Sequence, residues 1–187
     1  ESRVLLAFDA TAHFGPGGRY YAHELLAGLL EGLPHRCRVA LAVNDGTVKL
    51  DKLSFSTLFP NRLVEMEAAV WSVEAGRAPP DVRFLRGAAR ILAGAGGDGL
   101  LLYLTGTQDA PEEMVLAPPP ALKGLRAIVL QLGAERPSAG WRSLCGDSGG
   151  IVRAIPAAAA PRTAARDVLW SLTRPELTQV RLETQGG

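Results

Sequence analysis

The sequence lacks an excess of charge of either sign, and it lacks a long uninterrupted apolar run. Its 20 lysines and arginines balance 19 aspartates and glutamates, which leaves a net charge of +1. Binding to nucleic acid relies on basic side chains that neutralise phosphates, so we expect no nucleic-acid partner. The apolar stretch at residues 91–104 is broken by glycine and aspartate, whereas a membrane helix needs about 20 consecutive apolar residues. We therefore expect no insertion into a membrane.

Cysteine and histidine are also scarce. Two cysteines, Cys37 and Cys145, are too few for a disulfide scaffold, and they leave either one bridge or two free thiols. No Cys-x-x-Cys pair and no Cys/His cluster occurs. The three histidines, His13, His23 and His35, have no spacing typical of metal ligands. We therefore predict no zinc site and no bound cofactor.

The length and composition suit one domain with a sizeable core. Hydrophobic residues make up 47% of the 187 residues but aromatics only 6%, so the core must consist mainly of leucine, valine and alanine. We expect a single domain across residues 3–172, followed by a polar C-terminal tail or linker at 173–187. The chain is expected to be part of a longer multidomain protein.

Strand and helix patterns alternate along the chain. Short, nearly continuous apolar runs predict buried parallel strands at residues 4–8, 38–43, 100–104 and 127–132, with an edge strand at 151–155. Helical spacing of apolar residues predicts helices at 20–33, 63–73, 82–93 and 163–172, with short helical segments in 118–124 and 141–146. Glu112 and Glu113 are interpreted as the start of a solvated turn.

One tight turn interrupts this alternation. Asn44-Asp45-Gly46 is a strong hairpin signal, so the segment at 48–55 is predicted to run antiparallel beside the second strand. The predicted fold class is α/β: a three-layer, doubly wound, mostly parallel sheet with one antiparallel edge strand and helices on both faces.

The ordered set of segments resembles a von Willebrand factor type A domain, a Rossmann-like fold. Residues 4–9, followed by Thr11 and His13, resemble its opening strand and Asp-x-Ser-x-Ser loop. Residues 38–43 and 50–55 resemble its second strand and antiparallel hairpin. Residues 101–106 resemble its fourth strand, which usually ends in Thr-Asp-Gly, and 122–133 resemble the helix and strand that follow.

Domains of this family typically hold a divalent cation with the first acid, two hydroxyls nearby, a threonine from a second loop and a later acid. A cation such as Mg²⁺ requires about six oxygen ligands, some of them from water. Asp9 matches the first acid, and Thr11 matches the first serine. His13 stands at the second serine position and offers nitrogen, which is a poor ligand for magnesium.

The later ligands of the family pattern are missing from the sequence. No serine or threonine occurs between Ser72 and Thr105, and Gly106 stands where the late acid belongs. Asp109, three residues further on, could reach back only with an unusual loop. We therefore predict a degenerate site that holds no metal, with vestiges at Asp9, Thr11, His13 and Gly106.

The resemblance implies a non-catalytic protein-interaction module. Related domains occur in matrix and adhesion proteins, including the collagen VI chains, matrilins and von Willebrand factor, and many of them work without a metal. An extracellular, secreted location and a protein ligand, such as a matrix or collagen component, are therefore expected. An intracellular scaffold module of the same fold is the alternative, and no Asn-x-Ser/Thr glycosylation sequence supports secretion.

A glycine-rich segment offers an enzymatic alternative. Residues 14–21 precede an apolar helix and resemble the first loop of a two-domain nucleotide-sugar glycosyltransferase, where amides at a helix start hold a diphosphate. The segment fits neither the P-loop nor the dinucleotide-binding pattern. A transferase would also need a second nucleotide-binding domain, for which this chain has no room.

A second sequence, Gly-Asp-Ser-Gly-Gly at 146–150, matches a serine protease motif. A protease triad also needs a placed histidine and acid, and that family folds as a double β-barrel. Since helices alternate with strands here and all histidines lie within the first 35 residues, we interpret 146–150 as a loop. We expect no enzymatic activity.

Three residues are candidates for contact with a protein partner. Phe14, Arg77 and Trp141 are predicted to lie near the sheet edge where ligands usually bind, and arginine and aromatics are common binding anchors. The alternative is that Trp141, like Trp71 and Trp170, packs in the core or between helices. A basic set on two predicted helices, consisting of Arg86, Arg90 and Arg126, is interpreted as a solvated face.

Overall fold

The computed structural model describes residues 2–10, 18–45, 50, 53–73, 82–96, 99–116, 125–146 and 150–173. The strands are β1 (Arg3–Asp9), β2 (Arg38–Asn44), β3 (Ser56–Thr57), β4 (Gly99–Thr105), β5 (Arg126–Leu132) and β6 (Ile151–Ile155). The helices are α1 (Gly18–Gly32), α2 (Pro60–Trp71), α3 (Val82–Ala95), α4 (Glu112–Leu116), α5 (Ala139–Gly146) and α6 (Pro161–Thr173). The predicted tail at 173–187 lies almost entirely outside the described residues.

The described strands form one sheet in the order β3-β2-β1-β4-β5-β6. Every neighbouring pair is parallel except β2 and β3, which run antiparallel. From β1 the chain first adds strands on one side and then, through β4, on the other. The strand order therefore reverses between β1 and β4, and the predicted fold class is confirmed.

Helices cover both faces of the sheet because the strand side chains alternate between two core clusters. In β1, Val4, Leu6 and Phe8 join the cluster under α1, α2 and α6, whereas Leu5 and Ala7 join the cluster under α3 and α5. This period of two is what a strand buried on both sides requires. It also fixes which polar side chains at the strand ends point to the same face.

The antiparallel edge is present, but its strand lies at Ser56–Thr57 and not at the predicted 48–55. β3 has two residues and pairs with the beginning of β2, in the register Arg38↔Thr57 and Val39↔Ser56. The turn predicted at 44–46 continues into residues outside the described part of the chain. Asn44 itself is the last residue of β2, and it is fully buried, with a side chain that bonds across the sheet.

Two smaller predictions also need correction or lie outside the described residues. Glu112 and Glu113 do not begin a solvated turn but form the first turn of α4, where acidic side chains complement the helix dipole. The helical segment predicted in 118–124 lies entirely outside the described residues. Neither Cys37 nor Cys145 forms a disulfide, and both are buried. No helix in the described ranges has the length and apolarity needed to cross a membrane.

Candidate functional site

Buried polar side chains lie together at the carboxyl ends of four adjacent strands. We call this set the polar edge, and it consists of Asn44 on β2, Asp9 on β1, Thr105 on β4 and Gln131 on β5. The pairings Asp9↔Asn44, Asp9↔Thr105 and Thr105↔Gln131 place them side by side. The point where strand order reverses in an open α/β sheet is where ligands usually bind. The polar edge spans that point, between β1 and β4.

The Asp9 carboxylate is held by donors from both neighbouring strands. Asn44 donates from Nδ2 to Asp9 Oδ1 at 3.3 Å, and the Tyr103 hydroxyl donates to Asp9 Oδ2 at 2.7 Å. Asp9 and Tyr103 are each only 1% exposed. The period of two in β1, β2 and β4 explains the meeting, since all three side chains point to the α3 face of the sheet.

The Tyr103 hydroxyl is positioned by aromatic packing under α3 and α5. The Tyr103 ring centroid lies 5.6 Å from that of Trp141 and 6.2 Å from that of Phe84. Both contacts are tilted, which suits the charge distribution of aromatic rings. With the ring packed between these two neighbours, the hydroxyl lies within hydrogen-bond distance of the carboxylate.

The other two residues of the polar edge, Gln131 and Thr105, form hydrogen bonds with the segments that follow β4 and β5. Gln131 donates from Nε2 to the Gln108 carbonyl at 2.6 Å and accepts from the Ser138 amide at 3.1 Å. The Thr105 hydroxyl oxygen accepts from the Thr107 amide at 3.1 Å. These bonds hold the segments that follow β4 and β5 against the sheet, so the edge presents a structured surface there.

The Asp109 carboxylate accepts hydrogen bonds from backbone amides, one of them in the first turn of α5. Its Oδ1 accepts from the amides of Ala110 at 2.8 Å and Gly140 at 3.0 Å. Its hydrogen bond with the Ser138 side chain, and to a smaller extent the bonds from backbone amides, hold the pKa of Asp109 below its ordinary value. A carboxylate at a helix N-terminus satisfies amides that have no partner within the helix. Asp109 therefore links the loop after β4 to α5.

Solved structures with the same arrangement identify the fold. A von Willebrand factor type A protein from Catenulispora acidiphila matches with a TM-score of 0.73 at 16% identity, over 91% of this chain and 42% of that one. The chain has the von Willebrand factor type A fold. The conserved hypothetical protein BatB from Bacteroides thetaiotaomicron matches with a TM-score of 0.60 at 15% identity, over 92% and 97% of the two chains. The pilus adhesin SpaC from Lactobacillus rhamnosus GG matches with a TM-score of 0.62 at 10% identity, over 91% and 30%.

The chain spans less than half the length of the Catenulispora and Lactobacillus proteins. No family model matches the chain, and neither does any curated protein.

The described part of the edge contains one acid, Asp9, among the oxygen ligands that the family pattern calls for. Both oxygens of Asp9 already accept hydrogen bonds, and Gly106 brings no side chain to the position of the late acid. Among the described residues, no three or more His, Cys, Asp or Glu side chains are grouped so as to hold a metal ion. Thr11 and His13 lie outside the described residues. A six-oxygen shell would require groups that the described edge does not supply.

The structure corrects the position of one predicted partner-binding residue. Trp141 is 1% exposed, and its Nε1 donates to the Thr107 carbonyl at 3.3 Å, so its ring is a core element beneath the edge and not a surface anchor. The spacing of Trp141, Leu144 and Cys145 turns this side of α5 inward. Phe14 and Arg77 lie outside the described residues.

The three arginines predicted to form one basic face on two helices do not all lie on helices. Arg86 and Arg90 lie on α3, whereas Arg126 is the first residue of β5 rather than part of a helix. Arg126 donates to the Leu172 carbonyl at the end of α6, at 3.5 Å. It is therefore bound to the last turn of another helix.

Sequence reasoning missed most of the polar edge. Asn44 was assigned to a turn, and Tyr103 and Gln131 were treated only as parts of apolar strands. The available signal was a hydrogen-bonding side chain within an otherwise apolar run, because a buried polar group needs a partner. That signal does not identify the partner, since Tyr103 and Asp9 are 94 residues apart in the sequence.

Proposed function

We propose that this chain is a non-catalytic protein-interaction module that binds a protein ligand at the carboxyl edge of its sheet without a divalent cation. The single observation that carries the proposal is the Asp9 carboxylate, which accepts from Tyr103 at 2.7 Å and from Asn44 at 3.3 Å. The Tyr103 hydroxyl and the Asn44 amide thus stabilise the carboxylate that a bound cation would stabilise in the family pattern. Recognition then falls to the surface around the carboxylate.

The loops after β4 and β5 supply that surface. Gln108 and Asp109 follow β4, Glu135 and Arg136 follow β5, and all four side chains are exposed. The bonds from Gln131 to both loops hold them in place before any ligand arrives. A preorganised polar surface loses less conformational entropy on binding than a disordered one.

The absence of catalysis is part of the proposal. Asp9 is the acid at the usual ligand position, and its 1% exposure keeps a substrate away from it. A general base must come within hydrogen-bond reach of the proton that it removes. The exposed acid next to the edge, Asp109, is engaged with the amides of α5.

We place the module in a larger extracellular assembly, such as an adhesive or matrix structure. Support comes from the fold and from one structural neighbour whose name describes it as a pilus adhesin. Protease treatment of intact producing cells tests the location. Cleavage of the chain without lysis is expected, and protection until lysis would favour the intracellular alternative.

Site-specific crosslinking tests the binding edge. A photoreactive residue in place of Gln108 is expected to yield a discrete protein adduct, with equal yield in magnesium and in chelator. The matched control is a photoreactive residue in place of Arg36, which is exposed in the turn between α1 and β2 at the opposite edge. Equal adducts from both positions would contradict the binding edge. An adduct from Gln108 that disappears with chelator would contradict the cation-free mode.

A further inference from the structure

The strand β6 forms one edge of the sheet, and no described strand pairs with its outer side. The Gly133 amide donates to the Ile155 carbonyl at 2.9 Å, so the backbone of Ile155 faces β5. Backbone groups of a strand point alternately to its two sides, which turns the N–H and C=O groups of Val152 and Ala154 away from β5. Such an edge is a template for a further strand. The opposite edge, β3, has only two residues.

A groove of about 370 Å³ lies between β6 and the first half of α6. Ala160, Ala164 and Val168 line it from the side of the helix, and Ala154 lines it from the strand. Ile155 belongs to the core cluster on the α6 face of the sheet, whereas Val152 packs on the α5 face. The Ala154 side chain alternates to the α5 face with Val152, so the groove meets the backbone of Ala154. A strand added to β6 would therefore place the side chains of one of its faces in this groove.

A segment of the sequence has the pattern that such a strand requires. Residues 178–184, which lie outside the described part of the chain, read Thr-Gln-Val-Arg-Leu-Glu-Thr. We call them the tail segment. Val180 and Leu182 fall on one side of this alternation, and the residues between and beside them are polar or charged. A period of two is typical of a strand that is covered on one face, and valine and threonine favour strands.

The tail segment of the same molecule does not suit this edge. Arg126, at the amino end of β5, donates to the Leu172 carbonyl at 3.5 Å, so α6 ends at the amino ends of the strands. A strand that directly followed α6 would run parallel to β6. The helix α5 joins β5 to β6 on one face of the sheet, whereas α6 packs with α1 on the other face. A crossover through α6 in the direction from β5 to β6 would therefore be left-handed, which parallel sheets avoid.

We infer that the tail segment of one copy of the chain adds as a strand to β6 of a second copy, with Val180 and Leu182 in the groove beside α6. Val152 and Ala154 would each contribute one backbone donor and one backbone acceptor to the added strand. Reciprocal exchange of tail segments closes a dimer, and one-way addition extends a row of copies. The edge of β6 is separate from the polar edge, so this inference does not depend on the proposed function.

Sedimentation velocity of the 187-residue chain over a concentration series tests the inference. The chain is expected to associate as its concentration rises, and hydrogen exchange of the Val152 and Ala154 amides is expected to slow in parallel. A chain that stays monomeric at high concentration overturns the inference. Amides that are protected in that monomer would indicate that the tail segment of the same molecule fills the edge, which also contradicts it.

One pair of variants tests the tail segment. Val180→Asp places a charge on the side that faces the groove, and Gln179→Asp makes the same change in charge on the other side. The Val180→Asp chain is expected to be monomeric, and the Gln179→Asp chain is expected to associate like the parent chain. Equal association of the two variants contradicts the proposed contact.

Two further variants test the edge of β6. Ala154→Pro removes an outward N–H group and leaves the bonds between β6 and β5, as an edge strand permits. Ala160→Glu places a charge in the groove from an exposed position, and it provides the test if Ala154→Pro does not fold. Both chains are expected to be monomeric, and association of the folded Ala160→Glu chain like that of the parent contradicts the inference. Far-UV circular dichroism shows which variants are folded.

Complementation gives the sharpest result. The Val180→Asp chain retains its β6 edge, and the Ala160→Glu chain retains its tail segment, so an equimolar mixture is expected to form a dimer and nothing larger. A synthetic peptide of residues 174–187 is expected to bind the Val180→Asp chain and not the Ala160→Glu chain, as measured by fluorescence anisotropy. A mixture that remains monomeric, or a peptide that binds both chains or neither, contradicts the pairing of the tail segment with β6.

Discussion

Replacing Tyr103 by phenylalanine removes one oxygen atom and with it the hydrogen bond that the hydroxyl donates to the buried carboxylate of Asp9. The lost bond spans 2.7 Å between two side chains that are each 1% exposed. The phenylalanine ring keeps the contacts with Phe84 and Trp141, so no large cavity forms. Water cannot easily replace the lost donor, and the carboxylate retains the cost of its burial.

The expected loss follows from that geometry. A hydrogen bond to a charged group is worth about 1.5–3 kcal/mol, and we expect the free energy of unfolding to fall by about 2 kcal/mol. For a chain of this size, that corresponds to a fall in melting temperature of about 4–8 °C. Urea unfolding followed by far-UV circular dichroism measures the difference. An unchanged dependence on urea concentration would show that stability, rather than the exposed surface of the unfolded state, has changed.

The control is Tyr20→Phe, because Tyr20 is 61% exposed and loses the same atom at the surface. Its unfolding free energy should stay within about 0.5 kcal/mol of the parent value. A double-mutant cycle of Tyr103→Phe with Asp9→Asn should give a coupling of at least about 0.5 kcal/mol. A Tyr103→Phe chain as stable as the Tyr20→Phe chain would refute the role assigned to the hydroxyl.

Four further predictions concern stability and reactivity. Gly94→Ala should stabilise the fold by about 0.5 kcal/mol, because a methyl group there meets nothing within 4 Å in a helix. Gly133→Ala should destabilise it by about 1 kcal/mol at its φ of +75°. Asp109→Asn should lower the unfolding free energy at neutral pH. It should also make that free energy fall less steeply as the pH is lowered into the acid range. The lowered pKa of Asp109 adds stability above the ordinary carboxyl range, and this is lost as pH falls through the folded value. Burial raises the pKa of Cys145 to about 11, so a thiol reagent at pH about 8 should label it only after unfolding. Urea titrations, a pH series and mass spectrometry measure these outcomes.

The central strands could be predicted closely from the sequence. β1, β4 and β5 are buried on both faces, so their runs are almost continuously apolar, and the observed bounds differ from the predicted ones by at most one residue at each end. Five of the described helices, α1, α2, α3, α5 and α6, were predictable for a related reason, since each presents a single apolar face, whereas the five-residue α4 was not predicted. The local sequence pattern is sufficient to predict a helix or strand when the same kind of environment surrounds the element along its whole length.

The candidate site was harder to predict because its contacts join residues that are distant in sequence. Asn44 resembles a turn residue locally, yet the register with β1 places its amide against Asp9. The sequence left two roles open for Trp141, a binding anchor or a core residue, and the inward face of α5 buries it beside Tyr103. These positions depend on which strands become neighbours, and short-range spacing carries no information on that.

Calorimetric titration of the purified chain with Mg²⁺ and Mn²⁺, with the melting temperature followed in parallel, tests the cation-free edge most directly. A ligand that binds only the folded state must raise the apparent stability. We predict no heat of binding and no melting shift at millimolar metal, both for the parent chain and for an Asp9→Ala variant. Heat and a melting shift in the parent chain that vanish in Asp9→Ala would contradict the account and indicate a cation-dependent site at Asp9.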